Sequence, residues 1–255
     1  MYDHNVKAGN QGDVIKHTAL IAAASVLMAK VKDTFHYADT FAGYAYNPLK
    51  SDGEWRNGIG VSHDSGFTYE SPTVKFWQEL WECKFGLRGS VYPGSSLFMF
   101  KLCMGKGIAF KARLWDISPA VISQLVTFYD RNEVEIFTRP AKEVDFAGDK
   151  PDLLLIDPPD FMDVDFALAL FGMVEHVILW LPIVCTNGVE TEASLLAFQK
   201  CQKRGLPIIS VNWHGEKNTR GCRLVFQLPV DASQAVISTA GNIANLMGWK
   251  IDCSV

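Results

Sequence analysis

At 255 residues, with 48% hydrophobic and 20% charged content, the chain has room for one large α/β domain carrying an insertion. Its net charge of −4 argues against a surface built throughout to neutralise phosphates, yet is compatible with a local basic face drawn from Lys7, Lys16, Lys217, Arg220 and Arg223. No apolar run approaches the roughly 20 residues that cross a bilayer, and the amino terminus lacks the basic-then-apolar pattern of a signal peptide.

In chain order, Gly9-Asn10-Gln11-Gly12 leads into a strong helical pattern from Asp13 to about Lys30. Thr34 to Ala38 is strand-like and ends at Asp39. Residues 46–91 separate this strand from its helix, and so long a connection is expected to be a partly helical insertion over the ligand edge, with a helix through Thr73 to Trp81. Ser95 to Gly105 reads as a helix opened by a serine cap, and Ile108 to Trp115 as a strand ending at Asp116. Ser118-Pro119 then caps and starts a helix to about Asp130. Val134 to Phe137 and Asp152 to Ile156 are strands, the second the more apolar. A helix from Asp163 to Glu175 and a strand from His176 to Leu181 follow. Thr191 to Arg204 is amphipathic and stops at Gly205. Two β-rich runs, Ile208 to Trp213 and Arg223 to Leu228, precede a last helix, Ala232 to Met247, and a short strand, Lys250 to Cys253. Strands and helices alternating at this spacing predict a doubly wound, mostly parallel sheet in a single domain spanning 1–255.

The chemistry concentrates at predicted strand ends. Asp157-Pro158-Pro159-Asp160 follows the buried run Leu153 to Ile156, at the edge where open α/β sheets bind ligands. Two prolines supply no N–H, so carbonyl acceptors are left beside the Asp157 carboxylate, which suits the two N–H donors of an exocyclic amino group. Asp39-Thr40-Phe41-Ala42-Gly43 is a small loop that lets backbone approach a ligand, or a plain strand-end turn. Asp116 is placed to accept both hydroxyls of a ribose, or to belong to the capping region before Ser118. Ser95 opens a helix whose free N–H groups suit a carboxylate. Lys16-His17 are polar residues on an otherwise apolar helix, and packing or ligand contact both fit them.

Six cysteines stand singly, without a C-x-x-C pair, so reduced thiols and a cytoplasmic location are expected. None of the histidines has metal-ligand spacing, and no metal is expected.

Lys7-Ala8-Gly9-Asn10-Gln11-Gly12-Asp13-Val14-Ile15-Lys16-His17-Thr18 resembles the amino-terminal signature of the RlmJ family, H-A-G-N-x-A-D-V-x-K-H. Tyr37 to Gly43 is similar to that family's Y-x-D-T-H-A-G, and Tyr92 to Ser95, Leu155 to Pro159 and Leu179 to Ile183 align in order. The resemblance implies a Rossmann-like methyltransferase fold with a seven-stranded sheet and a helical insertion after the first strand. It implies S-adenosylmethionine as cofactor and an adenine N6 amino group of large-subunit ribosomal RNA as acceptor. By the same resemblance the methyl-donor contacts fall on His17, Ser95, Asp116 and Asp157; with Lys16 of the signature and Asp39, Phe41 and Gly43 of the strand-end loop they make up the expected cofactor site, and Asp157 and Pro158 are the expected catalytic groups. The chain departs from the family pattern in having Phe41 for His, Ala45 for Gly, Asp116 for Glu and Asp160 for the Tyr of Asp-Pro-Pro-Tyr. An aromatic stacked on a base is worth about 1–3 kcal/mol, so Asp160 or the following Phe161 is expected to face the substrate. RNA is the expected partner of a monomer, with no membrane or metal involved. Two other readings stay open: a catalytically degenerate binding protein, and an amino-methyltransferase with another substrate.

Overall fold

The computed structural model describes residues 4–64, 71–83, 91–146, 148–213 and 219–254. The chain opens with α1 (His4–Lys7) and α2 (Gln11–Met28), then β1 (Thr34–Asp39). Between β1 and the next long helix come β2 (Tyr46–Pro48), α3 (Ile59–Asp64), α4 (Pro72–Cys83) and β3 (Val91–Pro93). The central alternation is α5 (Ser95–Lys106), β4 (Ala109–Trp115), α6 (Pro119–Phe128), β5 (Val134–Phe137), β6 (Leu153–Ile156), α7 (Val164–Leu170) and β7 (Val177–Thr186). Last come β8 (Val189–Glu190), α8 (Glu192–Lys203), β9 (Ile208–Asn212), β10 (Thr219–Gln227), α9 (Val230–Leu246) and β11 (Lys250–Ser254).

The main sheet runs β11-β9-β10-β7-β6-β1-β4-β5, with β8 hairpinned onto β7. From β7 to β5 all neighbours are parallel, while β10 lies antiparallel to both β7 and β9. Every residue of β6 is buried, as a strand covered on both faces requires. The sheet exceeds the expected seven strands because β11 adds an edge beyond β9 and β8 folds back on β7.

Several element boundaries differ from the sequence expectation, among them β10, which starts at Thr219 instead of Arg223, and three have plain local reasons. The helix after Asp163 stops at Leu170, because the chain turns at Phe171 to Met173 to enter β7. β7 runs five residues past Leu181. Its parallel pairing with β6 ends at Ile156 opposite Leu179, so the N–H that Pro182 lacks breaks no bond on that side, and β10 carries the strand onward. Helix α5 is capped by Gly94 rather than Ser95, whose hydroxyl is used elsewhere.

Helix α2 is buried nearly all round, packed on α9, α5 and α4, as expected of a helix apolar on every face. Its start is fixed reciprocally: Asp13 N–H donates to Asn10 Oδ1 at 3.0 Å, and Gly9 N–H donates to Asp13 Oδ2 at 2.8 Å. That is the logic of a capping box with Asp as the reaching residue. No described helix is long and apolar enough to cross a membrane.

Gly94 joins this scaffold to the site. Its N–H donates to Ala45 O at 2.8 Å, and a Cβ built there would stand 2.0 Å from Tyr44 O. Gly94→Ala is therefore expected to lose roughly 2 kcal/mol or more of stability, measured by urea unfolding; a loss below experimental error would refute this tight approach.

Candidate active site

Strand register sets the site. Asp39 at the end of β1 lies level with Leu114 of β4 and Leu155 of β6. Asp116 and Asp157, each two residues further on, project roughly 7 Å beyond that level. The loop after β1 is tied to both neighbours: Thr40 N–H donates to Leu155 O at 3.2 Å and Ala42 N–H to Trp115 O at 2.9 Å. Gly43 follows with φ of 62°, a left-handed conformation that favours glycine, and its N–H donates to Asp116 Oδ2 at 3.1 Å. Ser118 N–H holds the other Asp116 oxygen at 2.7 Å, so this carboxylate is fixed by backbone on both sides.

These tips open into one crevice of 1120 Å³. Lys16, His17, Asp39, Phe41, Gly43, Ser95, Asp116, Asp157 and Pro158 all line it. Asp160 and Phe161 do not. Asp160 is exposed, and Phe161 starts a short 3₁₀ turn and packs against the core cluster around Trp115 and Leu168. Both expected substrate-facing residues thus stand outside the crevice lining, and burying part of the Phe161 ring against the core is favourable.

Asp39 is buried and accepts hydrogen bonds from Ser95 Oγ at 2.6 Å, Tyr37 Oη at 3.0 Å and Phe41 N–H at 3.1 Å. Burial pushes its carboxyl up to about 6 against the pull of the Ser95 and Phe41 donors. No cation pairs with it among the described residues.

Lys16 sits between two carboxylates, 2.5 Å from Asp157 Oδ2 and 2.8 Å from Asp13 Oδ1. Burial alone would lower this ammonium, but Asp13 and Asp157 outweigh it and hold it well above the usual lysine range. Asp13 is shifted below its ordinary value: burial works upward, and Lys16 chiefly overcomes it. His17 is brought down to about 3 by burial and by Lys16, so its ring is neutral. Trp77 Nε1 donates to Tyr92 Oη at 3.0 Å, and Tyr92 Oη lies 2.9 Å from His17 Nδ1. With Tyr92 donating to Nδ1, the His17 proton resides on Nε2.

Sequence reasoning passed over Trp180. It lines the crevice with Pro182 and Val184, alternate residues on one face of β7, and its ring centre lies 5.7 Å from Lys16 Nζ. Extending the strand pattern past Pro182 would have revealed that face. Of the residues that could form a basic face, Lys7 pairs with Glu54 at 2.6 Å, Lys16 is enclosed, Arg223 is buried against Glu190 at 2.6 Å, and Arg220 lies in β10. Lys217 lies outside the described residues. Among the described residues, no cluster of three or more His, Cys, Asp or Glu could hold a metal ion.

The strand order, the antiparallel β10 inserted beside β7 and a crevice across the β6, β1 and β4 tips define a Rossmann-like methyltransferase fold. A solved protein of Legionella pneumophila strain Philadelphia 1, of the DUF519 family, superposes with a TM-score of 0.77 at 17% identity over 97% of each chain. Ribosomal RNA large subunit methyltransferase J of Haemophilus influenzae is 26% identical over 207 residues, 72% of this chain and 70% of that protein. No family model matches the chain. More particularly, the chain is similar in sequence to an RlmJ-type protein, at the distance of a divergent relative.

Lys16→Met would leave Asp13 and Asp157 facing each other without a cation. Urea unfolding is expected to show a loss of roughly 3–5 kcal/mol, partly restored in Lys16→Met/Asp157→Asn. Equal stabilities of the single and double variants would exclude a Lys16–Asp157 coupling.

Proposed function

We propose that this protein is an S-adenosylmethionine-dependent methyltransferase acting on the N6 amino group of an adenine in RNA, most plainly ribosomal RNA in the cytoplasm. The observation that carries the reading is the shared crevice, where the Asp157-Pro158 tip faces the Asp39–Gly43 loop and Asp116. The named relative is a ribosomal RNA methyltransferase, which favours RNA as the acceptor.

The residues fit this cofactor. Asp116, fixed at the end of β4, suits ribose hydroxyls. The start of α5 at Gly94 and Ser95 offers N–H groups toward a carboxylate. Asp39, a buried carboxyl with no cation beside it, suits a ligand that is itself cationic. When bound, S-adenosylmethionine supplies a methyl group on positively charged sulfur. The volume is slightly above the ~300–1,000 Å³ typical of single-ligand pockets, leaving space for an extruded base.

The chain's own groups then act on the acceptor. An adenine amino nitrogen is a poor nucleophile because its lone pair is delocalised into the ring. Asp157 and the Pro158 carbonyl accept its two N–H bonds, which favours a pyramidal nitrogen with its lone pair directed into the crevice. Lys16 holds the Asp157 carboxylate in position, so the acceptor needs no reorganisation during reaction. The half-buried Trp180 offers the aromatic surface that Asp160 does not.

With RNA and methyl donor, nucleoside mass spectrometry is expected to detect N6-methyladenosine. Asp157→Ala should lower turnover at least about 100-fold while S-adenosylhomocysteine binds within a few-fold of wild type. Retained turnover in that variant, or a different methylated nucleoside, would replace this assignment. Methyl-donor affinity should also fall as pH drops below about 6, because protonated Asp39 no longer offers its charge to a cationic ligand. The limiting slope is about tenfold per pH unit for one proton. Calorimetry between pH 5 and 7.5 reads this directly, and a flat profile would remove Asp39 from the binding charge.

A further inference from the structure

Past Asp157 the sheet side of the crevice changes character. Trp180, Pro182 and Val184 of β7 line it, and after them Trp213, immediately beyond β9, with no charged residue among the four. Strand β10 pairs with both β7 and β9, and its Leu224 stands opposite Trp180 on one side and Ile209 on the other. Trp213 is four residues beyond Ile209. It therefore lies roughly 13 Å further along the strand direction than Trp180 and about 10 Å to the side. The two tryptophans are carried at separate points along one space.

The outer point combines an aromatic pair with a cation. Trp213 N–H donates to Arg220 O at 2.8 Å, and the Trp213 ring packs on the half-buried Trp249 at 5.4 Å and 51°. Arg220, carried on β10 beside Trp213, is half-buried and forms no ion pair among the described residues. The other basic residues around this side of the crevice are committed: Lys7 to Glu54, Lys16 to Asp13 and Asp157, and Arg223 to Glu190. Arg220 therefore keeps its charge for an outside partner.

We propose that the β7–β9 end of the crevice seats the nucleotide next to the acceptor adenine in RNA, with its base against Trp213 and its phosphate at Arg220. This rests on the acceptor reading above. An adenine held at Asp157 stays covalently joined to its neighbours, so the RNA strand leaves along one wall of the crevice. Toward β4 that wall carries the Asp116 carboxylate, which repels a phosphate. Toward β9 it carries an aromatic surface, on which any base stacks, and a guanidinium suited to phosphate. An apolar peptide segment would match Val184 and the rings but leave the Arg220 charge unanswered.

Fluorescence anisotropy with a short, labelled single-stranded RNA, one adenine among uridines, tests this in the presence of S-adenosylhomocysteine. Removing the base of either the 5′ or the 3′ neighbour of that adenine should weaken binding to wild type about tenfold in one of the two cases. Trp213→Leu should bind the intact RNA about tenfold more weakly and no longer distinguish it from that abasic RNA. Arg220→Gln should keep the distinction and make the fall of log affinity with log salt shallower by about 0.7, the share of one phosphate contact. The inference is overturned if both abasic RNAs bind wild type as tightly as the intact one, a result independent of how any variant folds. It is equally overturned if Trp213→Leu keeps the distinction, or if Arg220→Gln leaves the salt slope unchanged. Wild-type protein that binds S-adenosylhomocysteine but no RNA at millimolar concentration would instead overturn the RNA-acceptor reading, and this inference with it.

Discussion

A buried lysine ammonium between two carboxylates joins the amino-terminal helix to the central strand, and the crevice exists in its present shape because of that joint. Lys16 is carried on α2, Asp13 belongs to the cap of the same helix, and Asp157 ends β6. A single buried charge in this position would be strongly unfavourable, and a lone pair of ions only marginally better. With two acceptors, and with Asp13 also bonded to Gly9 N–H, the ammonium is surrounded by good partners. The cost of burying charge is thus turned into a positional constraint on the helix start, the loop before it and the Asp157 side chain.

The opposite side of the crevice is built on hydrogen bonding without a cation. Asp39 gathers a serine hydroxyl, a tyrosine hydroxyl and a backbone N–H, and remains a carboxyl shifted up to about 6. Asp116 is held by two backbone N–H groups from loops on either side. One wall therefore carries a neutralised carboxylate and the other carries carboxylates open to a positive ligand. Under the proposed function, that asymmetry gives a cationic methyl donor and a neutral amino acceptor different ends of the same space. It follows from which elements meet there, since the residue types alone are the same.

Much of the architecture was legible in local pattern. The alternation of short apolar runs with capped helices matched the observed order of the main-sheet strands from β1 through β11, short β8 excepted, while β2 and β3 in the insertion were not foreseen; Asn10, Ser118 and Thr191 stand at their helix starts as short polar side chains do. The failures have a common origin in long-range competition. Ser95 looked like a cap, but Asp39, 56 residues earlier, takes its hydroxyl and Gly94 takes the cap position. β7 was cut short at Pro182 because a proline normally ends a central strand, and only the early end of β6 removes that objection. Arg223 read as a surface charge, yet it is buried in a bidentate pair with Glu190.

By itself the sequence determined which carboxylates end which strands, because apolar runs stop where an aspartate begins and period and polarity are local properties. Asp39, Asp116 and Asp157 were recoverable on that ground alone. Only the tertiary structure decided which of the neighbouring side chains join them. Phe161 is adjacent to the motif but packs against the core, whereas Trp180 enters the crevice from β7. The reason is that side-chain direction after a turn depends on what apolar surface lies within reach, and that surface is assembled from segments distant in the chain.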